Sequence, residues 1–550
     1  MLSIGLITYI IAVPLFSDRI SPTVFSRITS IFLLFSALLT WNSLYYFPIS
    51  DNSISIYSGL FSVNILSLSF QLVLFIIGSM ILFGWGPVTS KNFNNLTIED
   101  NSKINPNFVH VNTISEYSLL VIFGVLGSCL LITSNNLLSL YMGIELQSFA
   151  AYILCSLYRN SQSATAAGLK YFLLGSLASG IILLGTGVIY SVTGITSFDD
   201  LYTLLTAVNL DNAANTEYNF VNLGIIAGLI FIGIGYILKV GAAPLYNWSP
   251  DVYDGVPTII TSWIATMPKI GLLVSLANLI SVISGGSAIN SLNSIIVNNF
   301  TSLLLVSSVL SFIIGAIVGL SQVRIKRLLT FSTINHVGFL LLALAVTTEE
   351  SLEGFVFYLV QYAMTNVNTF MTLLAFGYAA KGIVQNSSSA TKNSKFFVAQ
   401  TQFNNKVREF QLLDDLKGQF FKNPLLAISF GLSLFSMAGI PPMIGFFAKQ
   451  MVLFSVSYNY SLVSVLAILM SVIGASYYLK IVKLMFFDSS VNTNNNINEN
   501  NSSEGDSFNN ITVMHSSIIA ILTLTMTLYI FDSSILLNAC RLISLSIFNS

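Results

Sequence analysis

Charge is what this sequence has least of. Of its 550 residues only 8% are Asp, Glu, Lys or Arg, where a soluble domain carries about a quarter. The 22 bases and 23 acids nearly cancel, leaving a net charge of −1, so nothing points to a nucleic acid or another polyanionic partner. Cysteine is scarcer still. Cys129, Cys155 and Cys540 lie far apart with no CxxC, which argues against a disulfide framework and an iron–sulfur site. The three histidines, His110, His336 and His515, are too few and too scattered for a haem or zinc cluster. No GxGxxG or GxxxxGK(S/T) stands between a strand and a helix, so nucleotide binding has no support.

What fills the sequence instead is apolar. Hydrophobic residues make up 54% of the chain and the mean hydropathy is +0.78. Runs long enough to cross a bilayer recur from end to end. A soluble protein with buried core helices would need far more polar surface to cover them. The chain therefore reads as an all-α polytopic membrane protein. The amino-terminal MLSIGLITYIIAVPLF lacks a charged n-region and a small-residue cleavage site, and reads as a first span rather than a signal peptide.

Run length predicts fourteen spans, at 2–16, 29–47, 59–87, 113–133, 136–157, 164–190, 221–248, 256–283, 299–321, 326–347, 352–384, 424–456, 459–486 and 511–536. The bases test that count. Lys170, Lys239, Lys269 and Lys449 fall inside spans and Arg541 in the tail; the other seventeen all sit at or near loops that follow odd-numbered spans. Loops after even-numbered spans hold Asp51, Asp199, Asp200, Glu349, Glu350 and Glu353 instead. A miscounted span would scramble the partition. The positive-inside rule then puts the odd-following loops on the matrix or cytoplasmic side and both termini on the other.

Two spans are too long for a plain crossing, and each holds a helix breaker. Pro244 interrupts the seventh after Lys239, and Gly439-Ile440-Pro441-Pro442 interrupts the twelfth before Lys449. Proline removes a ladder hydrogen bond, and irregular backbone at membrane depth is tolerated only where it packs in protein or lines a wet cavity. The breaks are five spans apart. Spans four to eight and nine to thirteen thus form two five-helix units with a broken helix fourth in each, and the odd number inverts the second, as in transporters with a midplane site. The expected divisions are 1–112 (three helices), 113–283 and 284–488 (the inverted repeats, with a polar insertion at 385–423) and 489–550 (a polar loop and the last span). KVREFQLLDDLKG in the insertion reads as an interfacial connecting segment, and the Asn-rich 489–510 as a disordered loop.

Five ionisable residues lie within spans: Glu145, Lys170, Lys239, Lys269 and Lys449. Each costs about 2.5–3.5 kcal/mol at mid-membrane, a heavy load unless paired, hydrated and useful. Desolvation loosens a lysine's hold on its proton and a nearby carboxylate tightens it, so switching that carboxylate's influence is a means of loading and unloading a proton. Glu145 lies mid-span, where snorkelling helps least. Lys170 is about 9 Å in from its helix end, within snorkelling reach; its expected partner is Glu145 on the preceding, antiparallel span. Lys239 is tolerated, on this reading, because the break at Gly241–Pro244 offers polar backbone and room for water. Lys269 follows Pro268 at the centre of its span, and Lys449 follows the second break. His336 is either a packed, hydrogen-bonded histidine or a proton relay. Tyr246, Asn247 and Trp248 look like packing anchors, and Asp251 and Asp254, acids on the basic side, like helix-start caps.

Three stretches together carry a resemblance: "LYMGIELQSFAAYILCSLYRNSQSATAAGLKYFLLGSLASGIILLGTGVIY", "LKVGAAPLYNWSPDVYDGVPTIITSWIATMPKIG" and "RIKRLLTFSTINHVGFLLLAL". They resemble the antiporter-like membrane subunits of respiratory complex I, the mitochondrial NADH:ubiquinone oxidoreductase, over about 113–480. Within that family the subunit 2 branch is favoured. The segment after span seven lacks the histidine usual in subunits 4 and 5 and in multi-subunit sodium/proton antiporters. Span twelve carries Lys449 where subunit 4 typically has glutamate, and the sequence ends fourteen residues after span fourteen, with no long lateral helix. The resemblance implies a proton path through Glu145, Lys170, Lys239, Lys269, His336 and Lys449, with no cofactor in this chain and FMN, iron–sulfur clusters and ubiquinone elsewhere in the complex. It implies subunits 4 and 4L, the lateral helix of subunit 5 and phospholipids including cardiolipin as partners, in the mitochondrial inner membrane. Abundant Asn, Ser, Phe, Ile and Tyr fit an AT-rich coding sequence such as a fungal mitochondrial one. The competing class is a subunit of a multi-subunit cation/proton antiporter; a third, a structural scaffold, would make the buried charges dispensable.

Overall fold

A computed structural model describes residues 2–16, 20, 22–46, 53–84, 116–159, 161–207, 216–284, 291–384, 410–488 and 511–548. The expected disordered loop at 489–510, the first part of the polar insertion and the division at 112 lie outside the described residues. Among the described residues nineteen α-helices follow in order: α1 Leu2–Phe16, α2 Pro22–Tyr46, α3 Ile65–Phe83, α4 Glu116–Ile132, α5 Leu137–Ser156, α6 Gln162–Thr193, α7 Phe198–Ala207, α8 Thr216–Val240, α9 Trp248–Gly255 and α10 Thr258–Ser284. There follow α11 Ser291–Leu320, α12 Ile325–Val346, α13 Glu349–Val384, α14 Gln419–Lys422, α15 Pro424–Ala438, α16 Ile444–Asn459, α17 Ser461–Phe486, α18 Val513–Leu528 and α19 Ser534–Phe548.

Among the described residues nine helices are long and apolar enough to cross a membrane: α2, α3, α5, α6, α8, α10, α11, α12 and α17. The other five expected spans are the shorter apolar α1, α4 and α18, the long α13, and the divided pair α15 and α16. The hairpin, α7 and α19, like the short α9 and α14, have no counterpart in the sequence reading. Residues 54–63 form a β-hairpin, Ile54–Ile56 against Phe61–Val63, so the third span begins at Ile65 and not at 59. α7 is a ten-residue helix with two acids in its first turn, and α19 follows the last span.

Loop contacts respect the alternation of sides. The hairpin touches the loop after α4, where Ser62 donates to Thr133 at 2.8 Å, and that loop touches the one after α6, where Phe198 donates to Asn135 at 3.0 Å. These loops follow spans two, four and six. At the opposite end the loop before α12 accepts the polar insertion: Ile325 donates to Gln411 and Leu413 to Val323, both at 3.0 Å. Those segments follow spans nine and eleven. The described part of the insertion thus docks on the protein, with Phe410, Leu413 and Leu416 buried.

Both breaks are built alike. α8 ends at Gly241 (φ 78°) and α15 at Gly439 (φ 82°), and a cis Xaa-Pro peptide follows each, Ala243–Pro244 and Pro441–Pro442. Ala242 donates to Ile237 at 3.0 Å and Ile440 to Phe435 at 3.1 Å, the same six-residue closure of a left-handed helix end. α9 and α16 resume the two crossings. Nearly all of α12 is buried, its polar residues included, and α10 beside it is buried over most of its length.

An alanine at 439 would hold a left-handed backbone and place Cβ 2.8 Å from Lys449 Cδ. Gly439→Ala is expected to cost about 1–2 kcal/mol in backbone strain alone, read as an earlier thermal unfolding transition of the detergent-solubilised protein.

Candidate functional site

The buried charges gather along the middle of the bundle, and the helices explain how. Asn136 caps α5 by accepting from Leu138 at 2.9 Å, and about two and a half turns later the helix presents Glu145. α8 brings Lys239 beside it: Lys239 Nζ lies 3.7 Å from Glu145 Oε1, with side-chain exposures of 5% and 15%. So little water reaches either group that the ion pair carries the cost of burial. The pairing of Glu145 with Lys170 expected from the sequence is not found. Lys170, near the start of α6, is 44% exposed and pairs with Asp251 of α9, the snorkelling course open to a lysine close to its helix end.

The break does not host Lys239 in the manner expected either. The carbonyl of Leu238, freed by the end of α8, accepts from Trp248 Nε1 at 2.7 Å, and the indole stacks on Tyr171 at 4.6 Å. Trp248 thus folds the second half-helix back onto the first. Lys239 faces a cavity of about 20 Å³ whose lining includes Gln147, Ser148, Tyr152, Gly175, Pro268 and Leu272. The second break behaves as the first was expected to: Lys449 Nζ donates to the carbonyl of Ala438, the last residue of α15, at 2.8 Å.

Lys269 is 3% exposed and has a hydroxyl and two rings around its ammonium. It donates to Thr333 Oγ1 of α12 at 3.2 Å and lies 5.5 Å from the ring of Tyr253 and 6.0 Å from that of Tyr362, distances at which a ring face attracts a cation. Pro268 before it removes a backbone hydrogen bond from α10, and Tyr362 donates to the nearby carbonyl of Ala265 at 3.0 Å. One turn along α12 from Thr333, the His336 imidazole is buried, with Nδ1 2.7 Å from Tyr358 Oη and Nε2 3.5 Å from Tyr478 Oη. Tyr478 in turn bonds Ser332. His336 also packs 5.9 Å from the ring of Tyr362, while Phe339 on the next turn lies under Lys449, 5.7 Å from its nitrogen. Lys269, His336 and Lys449 are therefore joined through one aromatic layer.

Asp251 lies in the first turn of α9 and Asp254 near its end, so neither caps the start of α10. Arg324 and Arg327 bind Asp254 at 2.5 and 3.0 Å, and Arg327 also reaches Asp251 at 3.3 Å. Between them Lys326, 3% exposed, donates to the carbonyl of Val256 at 2.8 Å. The sequence reading counted Lys326 among loop bases. Its neighbours Arg324 and Arg327 stay 52% and 39% exposed, so nothing in the sequence set it apart from them. Among the described residues no group of three or more His, Cys, Asp and Glu is placed to hold a metal ion. The three cysteines are free and buried.

A helical membrane bundle with two interrupted helices and a file of buried ammonium groups defines an ion-translocating membrane subunit. The chain belongs to the NADH:quinone oxidoreductase/Mrp antiporter transmembrane family, whose description matches residues 134–474. It is similar to NADH-ubiquinone oxidoreductase chain 2 of Rhizopus oryzae, 43% identical over 568 aligned positions that cover all of both chains. It is also similar to NADH-quinone oxidoreductase subunit N of Hydrogenovibrio crunogenus, 36% identical over 68% of this chain and 69% of that one. Its fold matches a chain of respiratory complex I from Thermus thermophilus (TM-score 0.66, 22% identity, 98% of each chain). A chain of the Mrp complex from Dietzia shares it too (TM-score 0.72, 15% identity, 100% of this chain and 96% of that one).

Lys326→Met would leave the buried Val256 carbonyl without this donor, at a cost of about 1–3 kcal/mol, lowering the thermal transition. Lys417→Met, which removes only an exposed pair with Asp414, should leave that transition where it is.

Proposed function

We propose that this chain is the proton-translocating, antiporter-like second subunit of the membrane arm of respiratory complex I. In it, NADH-to-ubiquinone electron transfer drives protons through Glu145, Lys239, Lys269, His336 and Lys449. The observation that carries the reading is the buried Glu145–Lys239 pair, followed by two lysines that have no carboxylate within ion-pair distance among the described residues. A charged Lys239 is stabilised by Glu145; weakening that contact makes Lys239 a proton donor. Lys269 and Lys449 can each receive a proton but are held in the charged form only by dipoles and ring faces, so neither traps it. His336, bonded at Nδ1 to one hydroxyl and facing a second from Nε2, can exchange a proton at either nitrogen. Lys170, in this reading, positions α9 through Asp251 rather than standing in the file.

The redox groups, FMN, iron–sulfur clusters and ubiquinone, belong to other subunits. The partners are the neighbouring membrane-arm subunits, notably 4, 4L and the lateral helix of 5, with phospholipids including cardiolipin. The basic loops face the matrix and both termini the intermembrane space of the mitochondrial inner membrane, as the segregation of lysine and arginine supports. The two five-helix units, 113–283 and 284–488, supply one half of the path each. Full-length identity to an oxidoreductase chain 2 favours this over an independent cation/proton antiporter subunit.

In membranes carrying Lys239→Met, with assembly verified on native gels, NADH-driven pumping is expected to fall by about 10²-fold or more, the scale for deleting a positioned proton-transfer group. Lys170→Met should retain most of it. Wild-type pumping in an assembled Lys239→Met enzyme would remove Lys239 from the path.

A further inference from the structure

Tyr358, on α13, is wholly buried, and its hydroxyl lies 2.7 Å from His336 Nδ1 with no other hydrogen-bond partner among the described residues. A buried phenol proton left without an acceptor would forfeit a hydrogen bond that nothing else replaces. It therefore goes to Nδ1, which must offer a lone pair, and a neutral imidazole then carries its own proton on Nε2. The other end of the same chain gives the same answer independently. Met437 Sδ lies 3.7 Å from Ser332 Oγ, and a thioether only accepts. The nearby Thr330 and Thr333 return their protons to the backbone of α12, whereas Ser332 turns its own to the sulfur. Ser332 thus accepts from Tyr478, and Tyr478, having given its proton to Ser332, accepts from His336 Nε2 at 3.5 Å. Every proton in the chain points one way, from α13 through the imidazole to α17 and on to α15.

We infer that Tyr358 is a positioning residue for His336: its hydroxyl donates to Nδ1 and so holds the neutral imidazole as the Nε2–H tautomer. The hydrogen bond at one ring nitrogen decides where the ring proton sits, and here the short bond is the one to Tyr358. The orientation matters to function only if the proton-path reading above holds. In that case neutral His336 has a fixed polarity within the file, its lone pair toward α13 and its N–H toward α17. The Tyr358 ring stacks on Phe339 at 5.6 Å, and Phe339 lies under Lys449, so the lone pair is on the side of the second broken helix. A proton reaching neutral His336 binds at Nδ1, where an N–H bond forms and the Tyr358 hydroxyl turns from donor to acceptor.

The test uses the assembled complex in native membranes with isotope-labelled histidine. It records the infrared ring band that separates the two imidazole tautomers, with His336→Gln as the blank so that all other histidines cancel. The wild-type band should be that of Nε2–H. Tyr358→Phe keeps the ring on Phe339 and removes only the hydroxyl; the band should move to Nδ1–H or to a mixture, and NADH-driven pumping should fall about tenfold or more. A wild-type Nδ1–H band, or an Nε2–H band that Tyr358→Phe leaves in place, overturns the inference. So does a moved band with wild-type pumping in a complex whose His336→Gln form does not pump. Should Tyr358→Phe fail to assemble, Tyr478→Phe decides. Nε2–H should persist there because the Tyr358 donor remains, and a switch to Nδ1–H would give the control to Tyr478 and sink the idea. Pumping by His336→Gln separates the two levels. If it is normal, His336 leaves the path and the band alone judges Tyr358; if it is lost while the band ignores Tyr358→Phe, the path stands and only the role of Tyr358 falls.

Discussion

Lys239 can remain charged inside the bundle because Glu145 stands 3.7 Å away, and much of the surrounding structure keeps that contact. A lone ammonium at this depth would be driven to shed its proton or to reach for an interface, and a lone carboxylate the same. The pair stabilises both only while α5 and α8 stay in register. Trp248 holds the end of α8 through the Leu238 carbonyl, Tyr236 ties the same helix to α10 through Ser275 at 3.0 Å, and Tyr171 supports the indole from α6. The opening of a single contact is thus set by the packing of five helices. A small relative motion of those helices changes the charge balance at one atom.

The two breaks share a backbone design and use it differently. Each ends its first half in a left-handed glycine with the same closing hydrogen bonds, so each exposes carbonyl dipoles inside the bundle where irregular backbone must find partners. At the first, an indole satisfies the freed carbonyl and the lysine is left for a carboxylate. At the second, the lysine itself takes the carbonyl. One ammonium is held by a full negative charge that can move away, the other by a fixed dipole that cannot. In the proposed path, the lysine of the first unit is thus the one paired with a carboxylate, and that of the second is not.

Much of this was legible in the sequence, and what was not had physical reasons. Run length located the spans because a bilayer imposes a minimum on them, and the segregation of basic residues fixed their alternation independently. The breaks were visible as Pro244 and Pro441–Pro442. Partner choice was not. Glu145 and Lys170 sit on adjacent helices, but adjacency says nothing of depth, and Lys170 lies close enough to its end to find Asp251 outside. The hairpin at 54–63 was absorbed into an apolar run whose Ile, Phe and Val suit strand and helix alike. Lys326 hid in a cluster of bases whose other members are solvated. Tyr358 carried no signal of its own, because a tyrosine in a span reads as a packing residue until its neighbours are known.

The charged network on the basic face gives these local facts a common frame. Asp251 is shared between Lys170 of α6 and Arg327 of α12, and Asp254 and the Val256 carbonyl are taken by Arg324, Arg327 and Lys326 at the start of α12. The short helix α9 is therefore clamped between the two units. α12 is buried apart from Arg327 and carries Thr333 against Lys269 and His336 against Tyr358. α9 carries Trp248 against the end of α8. Any displacement of α9 moves both the support of the Glu145–Lys239 pair and the helix that holds the next two stations.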